Sequence, residues 1–495
     1  MTDQMTMPLS ELLTELPDAA VRGATDLLVR GVVCDSRRVE PGYLFAAIRG
    51  GQERDRHAFV PDAVARGAVA VVVEEPVEAG GATQIQVADA RRALARIAAR
   101  YHGRPADGLT MAAITGTNGK TTTALLLRAV LEAAGTRSAY LGTLGALIGG
   151  EWRSLPNTTP EAGDLHGELG AAARAGDRAM VMEVSSHALA LGRVEGLEFD
   201  VAAFTNLTRD HLDFHGSEEA YFEAKAALFD HLRTGRRFAA AINTDDDRGV
   251  QLCERVGDRA LSFAVGAAAD VRPDGVEYGP RGTELRALTP AGSIDVRTSL
   301  TGPFNCSNVV AAVACGIALE VSPDAISAGI ESVEQVPGRF ERVDAGQDFL
   351  AIVDYAHTPD GLENVLAAAR SLTAGKLICL FGCGGDRDRG KRPLMGQVAE
   401  KLADVVVVTS DNPRSEAPTA IVADILEGME RPRAARVEVD REVAIGEALA
   451  AATAGDVVVL AGKGDETYQA FADQVVDFDD REVARRVLGH LECTG

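Results

Sequence analysis

The segment 115–123, with the sequence TGTNGKTTT, constrains the fold more than any other part of the chain. It follows the apolar segment Thr110–Thr115, which is typical of a buried strand, and it leads into a segment at 121–134 with helical composition. Its glycines let backbone N–H groups face phosphate oxygens, and the helix N-terminus and Lys120 add positive charge. The full Walker pattern has glycine where this chain has Ile114, so only the GxxGKT half is present. We therefore predict a nucleotide-binding strand–turn–helix unit; the alternative is a glycine-rich turn with a surface lysine.

Length and charge limit the class of protein further. The 495 residues suggest about three domains. A net charge of −23 repels nucleic acid and anionic lipid, so neither is expected as a partner. Any anionic substrate would need basic groups placed close to it, as Lys120 is placed in the loop.

The N-terminal sequence and the cysteines point to the cytoplasm. The first residues lack the basic start and apolar run of a secretory signal, and no stretch approaches the ~18 apolar residues of a membrane span. Seven scattered cysteines favour reduced thiols over a disulfide framework. Cys379 and Cys383 have the spacing of half a zinc site, but no Cys or His pair follows them.

The apolar segments predict an α/β protein with three domains, at 1–108, 109–338 and 339–495. In the first, strands are expected at 31–34, 43–48 and 68–73, with a helix at 90–101 and a linker at 103–108. The second alternates strands and helices in the manner of a doubly wound sheet, with strands at 110–115, 179–182 and 201–205 and an antiparallel insertion within 260–300. The third repeats this rhythm, with strands at 349–353, 377–381, 405–409 and 457–461.

Two groups of polar residues follow predicted strands of the middle domain. Glu183 ends the second strand, and a carboxylate there, in the same domain as a phosphate loop, suits Mg²⁺. The run 206–215 follows the third strand and contains His211. The alternatives are a surface glutamate and the charged start of a helix. Lys225 lies in a predicted helix at 218–231, where it would by itself be a solvated lysine.

These residues resemble the Mur ligases of peptidoglycan synthesis. The resemblance rests on TGTNGKTTT, on EVSSH at 183–187, on NLTRDHLDFHG at 206–216 and on Lys225, and it continues through GPFN at 302–305, PGRFE at 337–341 and DYAHTP at 354–359. It covers essentially the whole chain. It implies a three-domain architecture with an N-terminal domain for a UDP substrate, a central P-loop ATPase-like domain and a C-terminal Rossmann-like domain that brings the incoming amino acid.

The family reaction phosphorylates a carboxylate with ATP, and an amine then attacks the acyl phosphate. Such chemistry gathers negative charges, so catalysis depends on positioning and charge neutralisation. The resemblance assigns the phosphates to Lys120, one Mg²⁺ to Thr121 and Glu183, and a second to His211 and a CO₂-derived carbamate on Lys225. A lysine ammonium, with a pKa of ~10.4, would repel the ion.

The resemblance also implies the residues that bind nucleotide and UDP substrate. The ATP residues are Gly116, Thr117, Asn118, Gly119, Lys120, Thr121, Thr122, Asn305, Arg339, Asp354 and His357. Those for the UDP-muramoyl peptide are Ser36, Asn157, Thr158, Thr159, Ser185 and Arg193. The chain departs from the pattern at Leu191, where related enzymes can have a glutamine that touches this substrate.

Asp411-Asn412-Pro413-Arg414 indicates which amino acid is added. By itself it is only a turn after a strand, but in the family it marks the members that add meso-2,6-diaminopimelate to UDP-N-acetylmuramoyl-L-alanyl-D-glutamate. A guanidinium fork suits the carboxylate that this amino acid has and L-lysine lacks. Arg387, Gly462 and Glu466 match the remaining contacts, although Asp465 stands where relatives often have histidine.

Three alternatives differ in class or substrate. Folylpolyglutamate synthase and the D-Ala-D-Ala-adding ligase share the phosphate loop, but the motifs at 157–160 and 411–414 argue against them. A non-catalytic nucleotide-binding regulator should have lost Lys120, Glu183, His211 or Lys225, and all four are present. The expected protein is a monomeric, ATP- and Mg²⁺-dependent ligase that forms an amide bond in cytoplasmic peptidoglycan precursor synthesis.

Overall fold

The N-terminal part of the chain forms a five-stranded sheet. In the computed structural model, which describes residues 5–49, 55–279 and 282–492, the strand order is Ala20–Arg22, Thr83–Gln86, Ala70–Val73, Tyr43–Ala46 and Gly31–Val33. All neighbours are parallel except the first pair. A two-stranded ladder pairs Met7–Pro8 with Leu28–Val29. The helices of this part are Leu9–Leu13, Val60–Ala65 and Ala90–Tyr101.

An eight-stranded sheet forms the middle part. Its order is Glu151–Arg153, Gly145–Ile148, Ser138–Gly142, Ala179–Glu183, Thr110–Thr115, Val201–Phe204, Ala240–Asn243 and Ala260–Phe263. The last six strands are parallel. Because parallel strands buried on both faces need apolar residues throughout, the central strands consist mainly of Ala, Val, Ile and Met.

Helices cover both faces of this sheet, and a small antiparallel sheet is added to it. The helices are Lys120–Ala133, Ala162–Ala175, Ser186–Ala190, Leu212–His215, Glu218–Ala226, Asp247–Val256, Pro303–Ala318 and Pro323–Glu331. The added sheet has the strands Arg272–Gly279, Gly282–Thr289 and Gly292–Thr298.

The C-terminal part contains a six-stranded sheet. The order is Glu341–Val343, Leu350–Asp354, Val457–Ala461, Leu377–Phe381, Val405–Val408 and Arg436–Val437, parallel except for the first pair. A hairpin of Tyr468–Ala470 and Val475–Asp477 lies outside it. The helices are Pro359–Leu372, Lys391–Leu402, Pro418–Leu426, Arg441–Ala450 and Asp480–Glu492. No helix in the described ranges is long and apolar enough to cross a membrane.

Three sequence-based expectations about elements need correction. The helix predicted at 218–231 ends at Ala226, and a 3₁₀ turn, Ala227–His231, follows because it places Leu228 and Phe229 in the core. The linker expected at 103–108 contains the 3₁₀ turn Pro105–Gly108, whose Ala106 carbonyl accepts a hydrogen bond from Arg233. The segment 260–300 is not all insertion, because Ala260–Phe263 pairs with the main sheet.

Two helices of the middle part approach so closely that only glycine fits between them. A Cβ atom on Gly329 would lie 2.6 Å from the backbone nitrogen of Val130, which belongs to the helix that starts at Lys120. This contact anchors Pro323–Glu331 against the helix that begins at the phosphate loop.

We expect Gly329→Ala to lower the melting temperature of the middle part by several degrees, because forced overpacking costs about 1–3 kcal/mol. Trp152, the sole tryptophan, lies on a strand of this sheet and reports its unfolding by fluorescence. Gly446→Ala, in a helix with open space around the added methyl, is the matched control and should be neutral or stabilising. Equal melting of Gly329→Ala and wild type would contradict the close helix contact.

Candidate active site

The phosphate loop has two backbone positions that require glycine. Gly116 has φ +147° and Gly119 has φ +85°, in a region that side chains rarely adopt. A Cβ on Gly116 would overlap the Thr205 hydroxyl, and one on Gly119 would overlap the side-chain oxygen of Asn308. At both positions the backbone conformation and the close packing exclude a side chain, so glycine is required where the loop leads into the helix.

Neighbouring strand ends hold the loop in place. The Thr205 hydroxyl donates to the Asn118 carbonyl at 2.6 Å, and the Asn118 N–H donates to Asn206 Oδ1 at 2.9 Å. The Thr117 hydroxyl lies 3.1 Å from that of Tyr221, and Thr121 and Thr122 are buried in the first turn of the helix.

Two lysines share one oxygen of this loop. Lys120 Nζ donates to the Gly116 carbonyl at 3.0 Å and to the Thr117 carbonyl at 2.8 Å. Lys225 Nζ donates to the same Gly116 oxygen at 2.7 Å and lies over the ring of Tyr221. Burial lowers the pKa of both lysines, and in Lys225, which is 1% exposed, the nearby Lys120 lowers the pKa further. The interpretation of Lys225 as a solvated helix lysine is therefore wrong.

Glu183 is fully buried at the end of its strand. Its Oε1 accepts from the Tyr140 hydroxyl at 2.5 Å and from the Thr143 N–H at 3.0 Å, while Oε2 accepts from the Thr143 hydroxyl at 3.1 Å. Since a carboxylate oxygen has two lone pairs, Oε2 keeps one free. The negative charge acts on Lys120, whose pKa it raises in opposition to burial. The alternative of a surface glutamate is wrong.

His211 lies in a cluster of aromatic rings beside the loop. Its backbone is left-handed, with φ +53°, and its ring packs edge-on against His187 at 4.7 Å between centroids. Its Nε2 lies 3.3 Å from Asp210, yet burial lowers the pKa of His211 to about 3, so the imidazole is neutral at pH 7. A neutral imidazole has a free lone pair for a metal ion.

The four residues expected to hold Mg²⁺ thus surround the phosphate loop. Glu183 and Thr121 supply buried oxygen atoms, which suit a hard cation, and His211 adds a neutral ring nitrogen. Lys225 fits only in modified form, because its amine donates to Gly116 in the unmodified state. In the parts of the chain that the structure describes, there is no cluster of three or more His, Cys, Asp or Glu side chains that could hold a metal ion.

The residues expected to bind the UDP substrate lie where the N-terminal and middle parts meet. The Thr159 hydroxyl donates to the Glu183 carbonyl at 2.9 Å and accepts from the Ser185 N–H, and Arg193 donates to the Thr159 carbonyl. Thr158 lies 3.2 Å from the Thr143 hydroxyl, whereas Asn157 is exposed.

Glu161 joins the two parts of the chain. It pairs with Arg193 at 3.1 Å and with Arg91, from the N-terminal part, at 2.9 Å. Ser36 is buried in the 3₁₀ turn Ser36–Arg38, which docks through an Arg38–Asp164 ion pair of 2.8 Å. The structure therefore brings Ser36 near the helix that follows Thr159.

The residues expected on the nucleotide side come from two parts. Asn305 accepts from Asn308, which also flanks Gly119, so it reaches the loop indirectly. Asp354 accepts backbone N–H groups of Phe340 and Ala356, although burial raises its pKa to about 6.

Arg339 and the residues that follow Asp354 form a group of aromatic and basic side chains near this carboxylate. Arg339 stacks on the Tyr355 ring at 4.3 Å and lies 3.6 Å from Asp465. His357 donates from Nδ1 to the Tyr355 carbonyl, and burial lowers its pKa, so this imidazole is also neutral at pH 7. Asp465, at the position where relatives often have histidine, is thus the acidic neighbour of Arg339.

The turn 411–414 is stabilised on several sides. Arg414 has φ +51°, and its guanidinium donates to the Gly385 carbonyl at 2.8 Å. Pro413 is buried, and Asn412 donates to Glu466 at 2.7 Å. Asp411 Oδ1 accepts the Asn412 N–H.

Two further residues of the predicted amino-acid site flank this turn. A side chain on Gly462 would contact Asp411 Oδ2 at 2.6 Å, so this position has no room for one. Arg387 is exposed on the neighbouring loop, and a Cβ on Gly384 would face both Arg387 and Arg414.

Comparisons with known proteins identify the family. The Mur ligase family catalytic domain matches residues 28–102, the Mur ligase middle domain 114–316, and the Mur ligase glutamate ligase domain 338–464. A UDP-N-acetylmuramoyl-L-alanyl-D-glutamate–2,6-diaminopimelate ligase of Solibacter usitatus is 47% identical over 97% of this chain and 98% of its own. The chain belongs to the Mur ligase family.

Other Mur ligases are also similar to this chain over nearly its full length. The ligase of the same name from Syntrophomonas wolfei is 45% identical over 97% of this chain and 99% of its own. A solved structure with that name is 34% identical, with a TM-score of 0.68 over 99% of this chain and all of its own. The MurF ligase from Thermotoga maritima in complex with ADP is 20% identical, with a TM-score of 0.66 over 94% of this chain and 99% of its own, and supports the fold alone.

Sequence reasoning missed buried cations of this Mur ligase, and Arg392 is one of them. Arg392 is fully buried and binds Glu416 at 2.7 Å, Asp424 at 2.8 Å and the Gly384 carbonyl at 3.2 Å. It therefore ties the loop of Arg387 to the segment after Arg414. Its position in a helix with weak apolar patterning gave no signal, because charged helix residues are usually exposed.

We expect Gly119→Ala to lose measurable ADP binding, because the methyl group would collide with Asn308 and change the loop. Gly135→Ala, at the other end of the same helix, has a similar positive φ of +79° but open space, and is the matched control for backbone strain. Isothermal titration with Mg-ADP measures both. ADP affinity in Gly119→Ala equal to that of Gly135→Ala would contradict the assignment of this loop.

Proposed function

We propose that this chain joins meso-2,6-diaminopimelate to UDP-N-acetylmuramoyl-L-alanyl-D-glutamate in an ATP-dependent reaction. It would act as a monomer in the cytoplasm and supply a peptidoglycan precursor. The observation that carries the choice of amino acid is the arrangement of Arg414, whose guanidinium is held beside the loop of Arg387. Full-length similarity to ligases of that name supports it.

The first step transfers the γ-phosphoryl group of ATP to the D-glutamate carboxylate. The N–H groups of the loop would hold the phosphates, and Lys120 would turn from its loop carbonyls to neutralise them. Buried surroundings strengthen this charge interaction, because little water screens it. Asn305, Arg339, Asp354 and His357 would contact the rest of the nucleotide.

Mg²⁺ would be held by Thr121 and Glu183, with a second ion at His211 and Lys225, and would neutralise the phosphate charge. Because burial lowers the pKa of Lys225, a fraction of its amine is neutral and able to add CO₂. The nitrogen forms a bond to the carbon of CO₂ and releases one proton to solvent, which gives a carbamate anion. This modification changes Lys225 from a cation that repels metal ions to an anionic oxygen ligand.

In the second step the amine of diaminopimelate attacks the acyl phosphate, forming the amide and releasing phosphate. Arg414 and Arg387 would bind the carboxylate next to the second stereocentre, while Glu466 accepts the ammonium group there. Ser36, Asn157, Thr158, Thr159, Ser185 and Arg193 would hold the UDP-muramoyl peptide. The acceptor carboxylate would then lie beside Glu183 and the phosphate loop.

We expect Lys225→Ala to be nearly inactive and to regain part of its activity in millimolar acetate or formate. Small carboxylates fit the space that the carbamate leaves and restore a negative oxygen there. ADP release is measured with sodium chloride at equal ionic strength as the salt control, and with Lys401→Met, an exposed lysine, as the variant control. Full activity of Lys225→Ala without added acid would contradict the carbamate.

We expect Arg414→Ala to lower kcat/KM for meso-diaminopimelate by roughly 30- to 1000-fold, which corresponds to about 2–4 kcal/mol for a charged bidentate contact. Arg414→Lys should recover only part of this, because an ammonium lacks the fork. L-Lysine should remain a poor substrate throughout, since no variant supplies a partner for the missing carboxylate.

The exposed Arg433→Ala is the matched control for this experiment and should behave as wild type. The KM for ATP should also change little in Arg414→Ala, because the phosphate loop lies in another part of the chain. Wild-type turnover of meso-diaminopimelate by Arg414→Ala would disprove the role of this arginine.

A further inference from the structure

Lys463 is a fully buried cation at the end of the central C-terminal strand Val457–Ala461. Its ammonium donates to Glu466 Oε2 at 3.1 Å, to Asn412 Oδ1 at 3.4 Å and to the Tyr468 carbonyl at 2.5 Å. It thus contacts the Glu466 turn, the turn 411–414 and the hairpin that begins at Tyr468. Burying a lysine without a charged partner costs folding free energy, so the ion pair with Glu466 is needed to keep Lys463 at this buried position.

The three side chains form a closed ring of hydrogen bonds. Besides their contacts with Lys463, Asn412 Nδ2 donates to Glu466 Oε2 at 2.7 Å, and Asn412 Oδ1 accepts the Ala470 N–H at 2.9 Å. Glu466 Oε2 therefore receives two donors, and its orientation is fixed. The other oxygen, Oε1, is left for a further donor.

We propose that Lys463 is a positioning residue for the amine substrate, which acts by holding Glu466 oriented and ionised in the amino-acid site. This inference rests on the proposed function, because it takes Glu466 to be the acceptor for the ammonium group of a diamino acid. Lys463 itself is enclosed by its three partners and would not touch the substrate. Its effect should therefore be found in the KM for the amine and much less in kcat.

The charges around Glu466 explain why it needs a cation. Burial and the neighbouring Asp411 raise the pKa of Glu466, and Lys463 and the Asn412 amide oppose this. Tyr355, Tyr468 and Arg441 also interact with it electrostatically. Arg441 is already paired with Asp480 at 2.6 Å, so Lys463 is the cation in direct contact with Glu466.

The sign of the pH effect follows from this arrangement. Without Lys463, Glu466 would bind a proton at higher pH than in wild type, because one group that favours its anion is gone. A protonated Glu466 accepts an ammonium group poorly. The acid limb of kcat/KM for the amine should therefore move to higher pH.

The test compares Lys463→Met, Glu466→Gln and the double variant, with Lys401→Met as the matched control on the surface of the same part of the chain. We expect Lys463→Met to raise the KM for meso-diaminopimelate by roughly 10- to 100-fold, since it disturbs a charged contact, and to change kcat by less than about 3-fold. The KM values for ATP and for the UDP-dipeptide should stay as in wild type.

Because Lys463 acts through Glu466, the double variant should have the same KM for the amine as Glu466→Gln alone. Neither of these two variants should show the shifted acid limb of kcat/KM, because glutamine does not titrate. The double variant contains no unpaired buried charge, so it remains measurable if Lys463→Met fails to fold. Any of three results would overturn the inference. These are additive effects on KM in the double variant, an unchanged KM for the amine in folded Lys463→Met, or a general defect in which the KM values for the amine, ATP and the UDP-dipeptide all rise and kcat falls to a similar extent.

The proposed function fails in a different way. If wild type uses an amine other than meso-diaminopimelate, the proposed substrate is wrong. The KM for the amine that is used still decides whether Lys463 positions its acceptor.

Discussion

The ammonium groups of half-buried Lys120 and fully buried Lys225 converge on the carbonyl oxygen of Gly116, and the site is built around this contact. It concentrates positive charge at one turn of a chain whose net charge is −23. Two cations this close favour an anion between or beside them, either the phosphates of a nucleotide or a carbamate on one of the lysines. The buried carboxylate of Glu183 and the neutral ring of His211 lie close enough to interact with these lysines.

Side-chain contacts connect the three parts of the chain. Asn118 of the phosphate loop donates to Asp360, the second residue of the helix Pro359–Leu372, at 3.0 Å, so the loop and the C-terminal part are in direct contact. On the other side, Glu161 connects the middle part to Arg91 of the N-terminal part. Buried ion pairs then fix the C-terminal turns, as Arg392 and Lys463 show. These buried cations are neutralised by carboxylates of the same chain, and their ion pairs hold the turns in place.

The sequence predicted the parallel strands best, because strands buried on both faces read as continuous apolar runs. Thr110–Thr115, Leu377–Phe381 and Val457–Ala461 were predicted to the residue. The phosphate loop could also be predicted, because its glycines and its lysine lie close together within residues 116–120. The burial of Lys225 could not be derived from its helix, since Gly116, which it contacts, lies 109 positions away. Only resemblance to a family pointed to it. Nothing pointed to the burial of Arg392, whose carboxylate partners lie 24 and 32 positions away, or of Lys463, whose contact with Asn412 spans 51 positions.

The most direct test of the account is one assay of the wild-type protein. ADP release is measured with ATP, Mg²⁺ and UDP-N-acetylmuramoyl-L-alanyl-D-glutamate, and with meso-diaminopimelate, L-lysine or D-alanyl-D-alanine as the amine. The account predicts sustained ADP release with meso-diaminopimelate, with one UDP-tripeptide formed per ADP, and little with the other two. Preference for L-lysine or D-alanyl-D-alanine, or ADP release without amide formation, would contradict it.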